Sequence, residues 1–264
     1  MKKYFVIGNP IDHSLSPTIH NYWFKKNKIN AVYDKILLKK NSEIKNLINK
    51  IRSNEIHGLN VTVPLKTAVV PYLDRLSLEA EVTKSVNTIS LEGKEVVGHN
   101  TDVAGFELAI RYKKFDVNEK KVLIIGAGGV VTSIIYALNK MSPKKIFLMN
   151  RTISNAEKIK KIFQNIDILE WGKNADIDMI INATSVGLSK NDKIDLKIED
   201  LGKKKFFYDV IYKPSETLFL KEAKDNGNYI ENGKMMFIYQ AHQAFFIWNK
   251  ILPEINEEVL ELVR

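Results

Sequence analysis

Apolar and polar positions along this chain follow two periods. Runs such as YFVIG at 4–8, KVLIIG at 121–126, KIFLMN at 145–150, DMIINAT at 178–184 and KFFYDVI at 205–211 are strand-length and almost continuously apolar. Such runs mark strands buried on both faces of a parallel sheet. Between them lie KKNKIN, KNLINKI and KIKKIF, where apolar residues recur at helical spacing and lysines take the opposite face, as in amphipathic helices. In the first part the pattern predicts strands near 3–8, 31–38, 57–63, 86–91 and 95–98, and helices near 17–27, 42–53, 74–84 and 102–113. A second alternating series begins at 121 and adds NYIEN as its last strand, with the pattern of a doubly wound nucleotide-binding domain. The apolar segment MMFIYQAHQAFFIWNKI predicts a packed helix that returns to the first domain.

Strand and helix alternating in this way predict an α/β fold with mainly parallel sheets. The expected division is residues 1–103 plus 237–264 as a substrate domain and 104–236 as a nucleotide-binding domain. With 264 residues and 45% hydrophobic content, the chain can bury a sizeable core. The formal charge of +9 is spread over the wet faces of helices, which gives no footprint for nucleic acid, though it can attract an anionic substrate or a phosphorylated cofactor. No cysteine is present, which excludes disulfides, thiolate catalysis and cysteine-based zinc sites. The five histidines have no metal-ligand spacing. No membrane-spanning run or leader is visible, so a cytoplasmic protein is expected.

Two stretches carry candidate chemistry. In NVTVPLK at 60–66, Asn60, Thr62 and Pro64 share one face, and Pro64 turns the chain so that Lys66 projects from the strand's carboxyl end. Ligands of open α/β sheets bind at that edge. In GAGGVV at 126–131, a strand meets a helix through small residues: Gly126 suits the tight turn, and Gly128 and Gly129 let backbone amides approach a pyrophosphate. Val131 replaces the third glycine of the longer fingerprint. The next strand ends in Asn150, Arg151 and Thr152, where NAD-binding units place a carboxylate for the ribose hydroxyls. A guanidinium and a hydroxyl suit a 2′-phosphate instead, so NADP is the expected cofactor. Further upstream, Ser14 and Ser16 stand two apart in GNPIDHSLSPTIHN at 8–21. Their hydroxyls can bind a carboxylate beside free backbone amides, and Ser16, before Pro17, can also cap a helix.

With HSLSP, NVTVPLK, SVNT at 85–88, GHNTD at 98–102, GAGGV, NRT at 150–152, NATSVG at 182–187, DVIYKPSET at 209–217 and NGKMMFIYQA at 232–241, the sequence resembles the shikimate dehydrogenase family over nearly its whole length. The resemblance implies NADP-linked reduction of 3-dehydroshikimate to shikimate, in the route to chorismate and the aromatic amino acids. It also implies a substrate domain and a Rossmann-like NADP domain with a cleft between them. It assigns Lys66 and Asp102 as the catalytic pair, and Ser14, Ser16 and Tyr212 to the substrate carboxylate. Asn60, Thr62, Asn87 and Gln240 go to the ring hydroxyls. Gly126, Ala127, Gly128, Gly129, Val130, Asn150, Arg151, Thr152, Thr184, Val210 and Gly233 go to the cofactor. The partner is a small molecule, and the protein is expected to be a monomer or homodimer. After NRT, members commonly carry another basic residue; here ISNAEK puts Asn155 near that place and Lys158 as the first cation, which leaves open how strictly NADP is preferred. Three rival readings are a quinate/shikimate dehydrogenase, a folate-acting dehydrogenase on similar domains, and a non-catalytic NADP-binding regulator. The two serines of HSLSP with Arg151 speak against the first, the SLS segment against the second, and Lys66 with Asp102 against the third.

Overall fold

Helical and strand periods give way to one another in chain order because each buried face needs a partner. In the computed structural model, which describes residues 1–189 and 191–264, the chain divides into two compact units. One comprises Met1–Gly105 with Ile238–Arg264, the other Phe106–Phe237.

The first unit is built from β1 (Lys2–Gly8), α1 (Ser16–Lys26), β2 (Ala31–Leu37), α2 (Ser42–Arg52), β3 (Gly58–Val61), β4 (Arg75–Leu76), α3 (Leu78–Thr83), β5 (Thr88–Glu92) and β6 (Glu95–His99). Its six-stranded sheet has the order β2-β1-β3-β5-β6-β4. β1 pairs in parallel with β2 and β3, whereas β5 runs antiparallel to both β3 and β6. Only Gly93 and Lys94 separate β5 from β6, which allows nothing but a hairpin, and Gly93 takes the positive φ of 64° that the turn needs. On α2, Ile44, Leu47, Ile48 and Ile51 are buried and join Ile7, Leu59, Val61 and Ile89 in one core.

The continuous helix predicted near 74–84 is a short strand followed by a shorter helix. The Asp74 carboxylate accepts from the Arg52 guanidinium at 2.7 and 3.0 Å and from the Val96 N–H at 2.7 Å, tying this stretch to β6. Ser77 then caps α3, accepting from the Ala80 N–H at 3.3 Å.

Helix α4 (Thr101–Tyr112) carries the chain into the second unit, which contains β7 (Lys121–Ile125), α5 (Val131–Lys140), β8 (Lys145–Met149), α6 (Ile153–Ile162), β9 (Ile166–Ile168), β10 (Met179–Asn182), β11 (Phe206–Asp209), α7 (Leu218–Asp225) and β12 (Tyr229–Glu231). Its sheet has the order β12-β11-β10-β7-β8-β9, and every pair is parallel. This is a doubly wound sheet with its order reversing at β7. Strand β9 has three residues, too few for a period to register. Helix α8 (Lys234–Asn249) then begins in the second unit and continues in the first, followed by α9 (Glu257–Leu262). Among the described residues no helix is long and apolar enough to cross a membrane.

Candidate active site

Strand direction in the first unit gathers the polar motifs at one edge of its sheet. β1 and β3 are parallel, so the segments leaving them, 9–16 and 62–66, emerge at the same edge. β5 runs the other way, with Asn60 opposite Thr88, so Asn87 and Thr88 enter at that edge. β6 reverses again, with Thr88 opposite His99, which delivers Asn100, Thr101 and Asp102 to the same place.

Within this edge, Lys66 Nζ lies 2.5 Å from Asp102 Oδ2, and the two side chains are only 12% and 8% exposed. A loss of water strengthens such a pair and makes either partner alone costly. The other carboxylate oxygen, Oδ1, accepts from Asn87 Nδ2 at 2.9 Å. Asn87 Oδ1 in turn accepts from the Thr101 N–H at 2.8 Å, so the start of α4 orients the residue that holds its own acid. Asp102 is a first-turn residue of α4, where a carboxylate is favoured. Asn60 is buried and heavily engaged: Nδ2 donates to the Asn87 carbonyl at 3.0 Å and to Thr88 Oγ1 at 2.9 Å, while Oδ1 accepts from Tyr33 at 2.7 Å. One lone pair on Oδ1 is left for a ligand hydroxyl. Thr62 is partly exposed at the end of β3.

Ser16 does not take the capping role that its place before Pro17 predicts. Ser16 is the first residue of α1 and does not cap it; Ser14 Oγ accepts from the Ser16 N–H at 3.3 Å. Gln240 lies on the part of α8 that belongs to this unit and is partly exposed.

In the second unit, parallel strands put the remaining candidates at one carboxyl edge. Gly126 follows β7 with φ of 112°, and a Cβ there would meet the Ala183 carbonyl and Thr184 Cγ2, each at 2.9 Å. Gly128 and Gly129 are exposed ahead of α5, and a Cβ at Gly128 would stand in open space. Ala127 lies between Gly126 and Gly128, Val130 precedes α5, and Val131 is fully buried beneath it. Asn150 Nδ2 closes the turn after β8 by donating to the Thr152 carbonyl at 2.7 Å, and Arg151 and Thr152 are exposed beside it. An open glycine cradle before a helix, with a cation and a hydroxyl after the next strand, fits a dinucleotide carrying a 2′-phosphate. Lys158 Nζ reaches back one turn to within 3.4 Å of Asn155 Oδ1.

Thr184 and Val210 are held by a network that the motifs contained but whose roles they did not reveal. The Asp209 carboxylate is fully buried and accepts from Thr217 Oγ1 at 2.6 Å, the Ile211 N–H at 3.0 Å and Asn182 Nδ2 at 3.1 Å. Asn182 Oδ1 accepts from the Thr184 N–H at 3.0 Å and its hydroxyl at 2.7 Å. Burial pushes the Asp209 pKa up to about 6, against the downward pull of these donors. Gly233 is required by the chain itself, since a Cβ would overlap the Val210 carbonyl. Tyr212 stacks on Phe237 with ring centroids 4.5 Å apart.

Two family models match the chain: "Shikimate dehydrogenase substrate binding domain" over residues 6–89 and "Shikimate / quinate 5-dehydrogenase" over 107–209. A shikimate dehydrogenase (NADP(+)) of Pelagibacter ubique is 56% identical over 264 residues, covering 100% of this chain and 99% of the relative. The crystal structure of shikimate dehydrogenase from Aquifex aeolicus superposes with a TM-score of 0.89 at 34% identity, covering 100% of this chain and 97% of that one. The Thermus thermophilus enzyme in complex with NADP(H) and shikimate gives 0.91 at 28% identity, covering 100% and 99%. With matches of this extent in both units, the chain belongs to the shikimate dehydrogenase family.

Proposed function

We propose that Lys66 and Asp102 serve as the catalytic pair for the reversible, NADP-linked reduction of 3-dehydroshikimate to shikimate, the reaction of this family in aromatic amino-acid biosynthesis. The observation that carries the assignment is the near-buried Lys66–Asp102 pair at 2.5 Å, held on its far side by Asn87. Bound NADPH supplies the hydride. As the ketone is reduced, negative charge grows on its oxygen, and a cation fixed beforehand in a dry site stabilises that charge without reorganising. Lys66 is that cation, and Asp102 fixes where it points.

Ser14, Ser16 and Tyr212 bind the substrate carboxylate. Thr62, Asn87, Gln240 and the remaining lone pair of Asn60 take the ring hydroxyls. The turn from Gly126 through Ala127, Gly128 and Gly129 to Val130 binds the pyrophosphate, with Asn150, Arg151 and Thr152 at the 2′-phosphate. Thr184, Val210 and Gly233 line the nicotinamide side. The test is the initial rate of oxidation of shikimate and of quinate, each with NADP and with NAD. Fast turnover of shikimate with NADP and slow turnover of quinate is expected; equal rates with quinate would move the chain to the broader quinate/shikimate class.

A further inference from the structure

The segment after the serines, PTIHN at 17–21, has no part in the chemistry assigned above, yet it is built around one residue of β2. Asn21 grips the backbone of Tyr33 at both polar groups: its Nδ2 donates to the Tyr33 carbonyl at 2.8 Å, and its Oδ1 accepts from the Tyr33 N–H at 2.9 Å. The ring of Tyr33 stacks on His20, with centroids 4.5 Å apart and planes 2° from parallel. His20 is fully buried, and neither ring nitrogen has a hydrogen-bond partner. Burial holds the imidazole neutral, its pKa pushed down to about 3. An unpaired buried imidazole is costly, and what it provides here is a flat platform for the phenol.

The phenol has one proton. Burial raises its pKa well above the ordinary value, so the proton stays. Asn60 Oδ1, 2.7 Å away, can only accept it. The orientation of Asn60 is unambiguous, because its amide nitrogen faces the Asn87 carbonyl. One path of donors leads from there to the pair, joined at Asn87 by Thr101, whose Oγ1 accepts from Nδ2 at 2.9 Å and whose N–H donates to Oδ1 at 2.8 Å. Asn60 Nδ2 donates to Thr88 Oγ1 at 2.9 Å, Thr88 Oγ1 to Asn87 Oδ1 at 3.1 Å, and Asn87 Nδ2 to Asp102 Oδ1 at 2.9 Å, with Lys66 on the other oxygen. Aligned hydrogen bonds polarise one another.

We propose that Tyr33 is a positioning residue for the catalytic pair: its proton, committed to Asn60, is the first donor of a buried hydrogen-bond chain that ends on the Asp102 carboxylate and strengthens each bond along it. The inference rests on the assignment of Lys66 and Asp102 given above.

Tyr33→Phe keeps the ring on His20 and removes only the hydroxyl. The expected result is a fall in kcat for shikimate oxidation of at least about fivefold, with a shikimate KM within about twofold of the wild-type value. A misfolding variant would not give that split. The same substitution in an Asn60→Ala background, or in Thr88→Val if the former does not fold, should lower kcat by less than about twofold further, since the chain is already broken. A Tyr33→Phe enzyme within twofold of wild-type kcat, or an undiminished loss in the broken-chain background, would overturn the inference. Wild type and Lys66→Ala run alongside separate the two levels. Absence of shikimate turnover in the former, or near-normal turnover in the latter, would count against the site assignment instead.

Discussion

Replacing His20 by Phe should make the first unit less sensitive to acid. His20 titrates at about 3 in the folded chain against 6.5 for a free imidazole. Between those values the unfolded chain binds a proton that the folded one refuses. The contribution of His20 is therefore complete above pH 6.5 and is lost as pH falls, at about 1.4 kcal/mol per pH unit. From pH 6.5 down to about 4.5 the loss is on the order of 3 kcal/mol, a large part of a typical domain's stability. Phe has no such proton and also removes two buried nitrogens without partners. The assay is urea unfolding between about pH 4.5 and 8, followed by tryptophan fluorescence in a Trp171→Phe background. The remaining Trp23 and Trp248 both lie against His20, with ring centroids at 5.7 and 5.3 Å. The stability difference between His20→Phe and its parent should be flat above pH 6.5 and widen steadily below it. A difference independent of pH would refute the reasoning, whatever its size.

Asp209→Asn tests the opposite linkage. The folded carboxyl titrates at about 6 against 3.8 unfolded, so the parent loses roughly 3 kcal/mol as pH rises through that window, whereas the variant does not; hydrogen exchange of the Phe206–Asp209 amides across about pH 4 to 7 reads the difference, and parallel pH dependences would refute it. Gly126→Ala forces a Cβ against the Ala183 carbonyl and a positive φ on alanine, and should weaken NADP binding at least about tenfold by calorimetry; unchanged binding would show that the turn yields. Arg151→Ala should weaken binding of 2′-phospho-adenosine compounds by about 10- to 100-fold while leaving their unphosphorylated counterparts within about twofold. Equal losses for both would remove Arg151 from the phosphate.

The second unit's sheet was legible in the sequence because its central strands, in KVLIIG and DMIINAT, are nearly uninterrupted apolar runs, whereas β4 of the first unit is two residues long and shows no such run. The candidate site was legible where one residue type carries one chemistry, as with Lys66 and Arg151. What stayed hidden depends on contacts across long sequence gaps. Tyr33 reads as an ordinary strand aromatic until it is seen to meet Asn60, 27 residues away. Asp74 and Ser77 look like members of a helix until Arg52 and Val96 claim the former. Asn182 and Asp209 stand inside recognised motifs, but their motifs carry no sign that the two hold each other and, through Thr184, shape the loop beside them. Ser14 and Ser16 show the reverse case: the local rule that a serine before Pro17 caps the helix gave way to Ser14, whose hydroxyl takes the Ser16 N–H.

The most direct measurement is the initial rate of NADP reduction with shikimate, followed by nicotinamide absorbance for the wild-type chain and Lys66→Ala under identical conditions. The account predicts rapid turnover by the wild type and a loss of about 100-fold or more in kcat for the variant, with much less change in the shikimate KM. No shikimate turnover by the wild type, or a variant within a few-fold of it, would contradict the account.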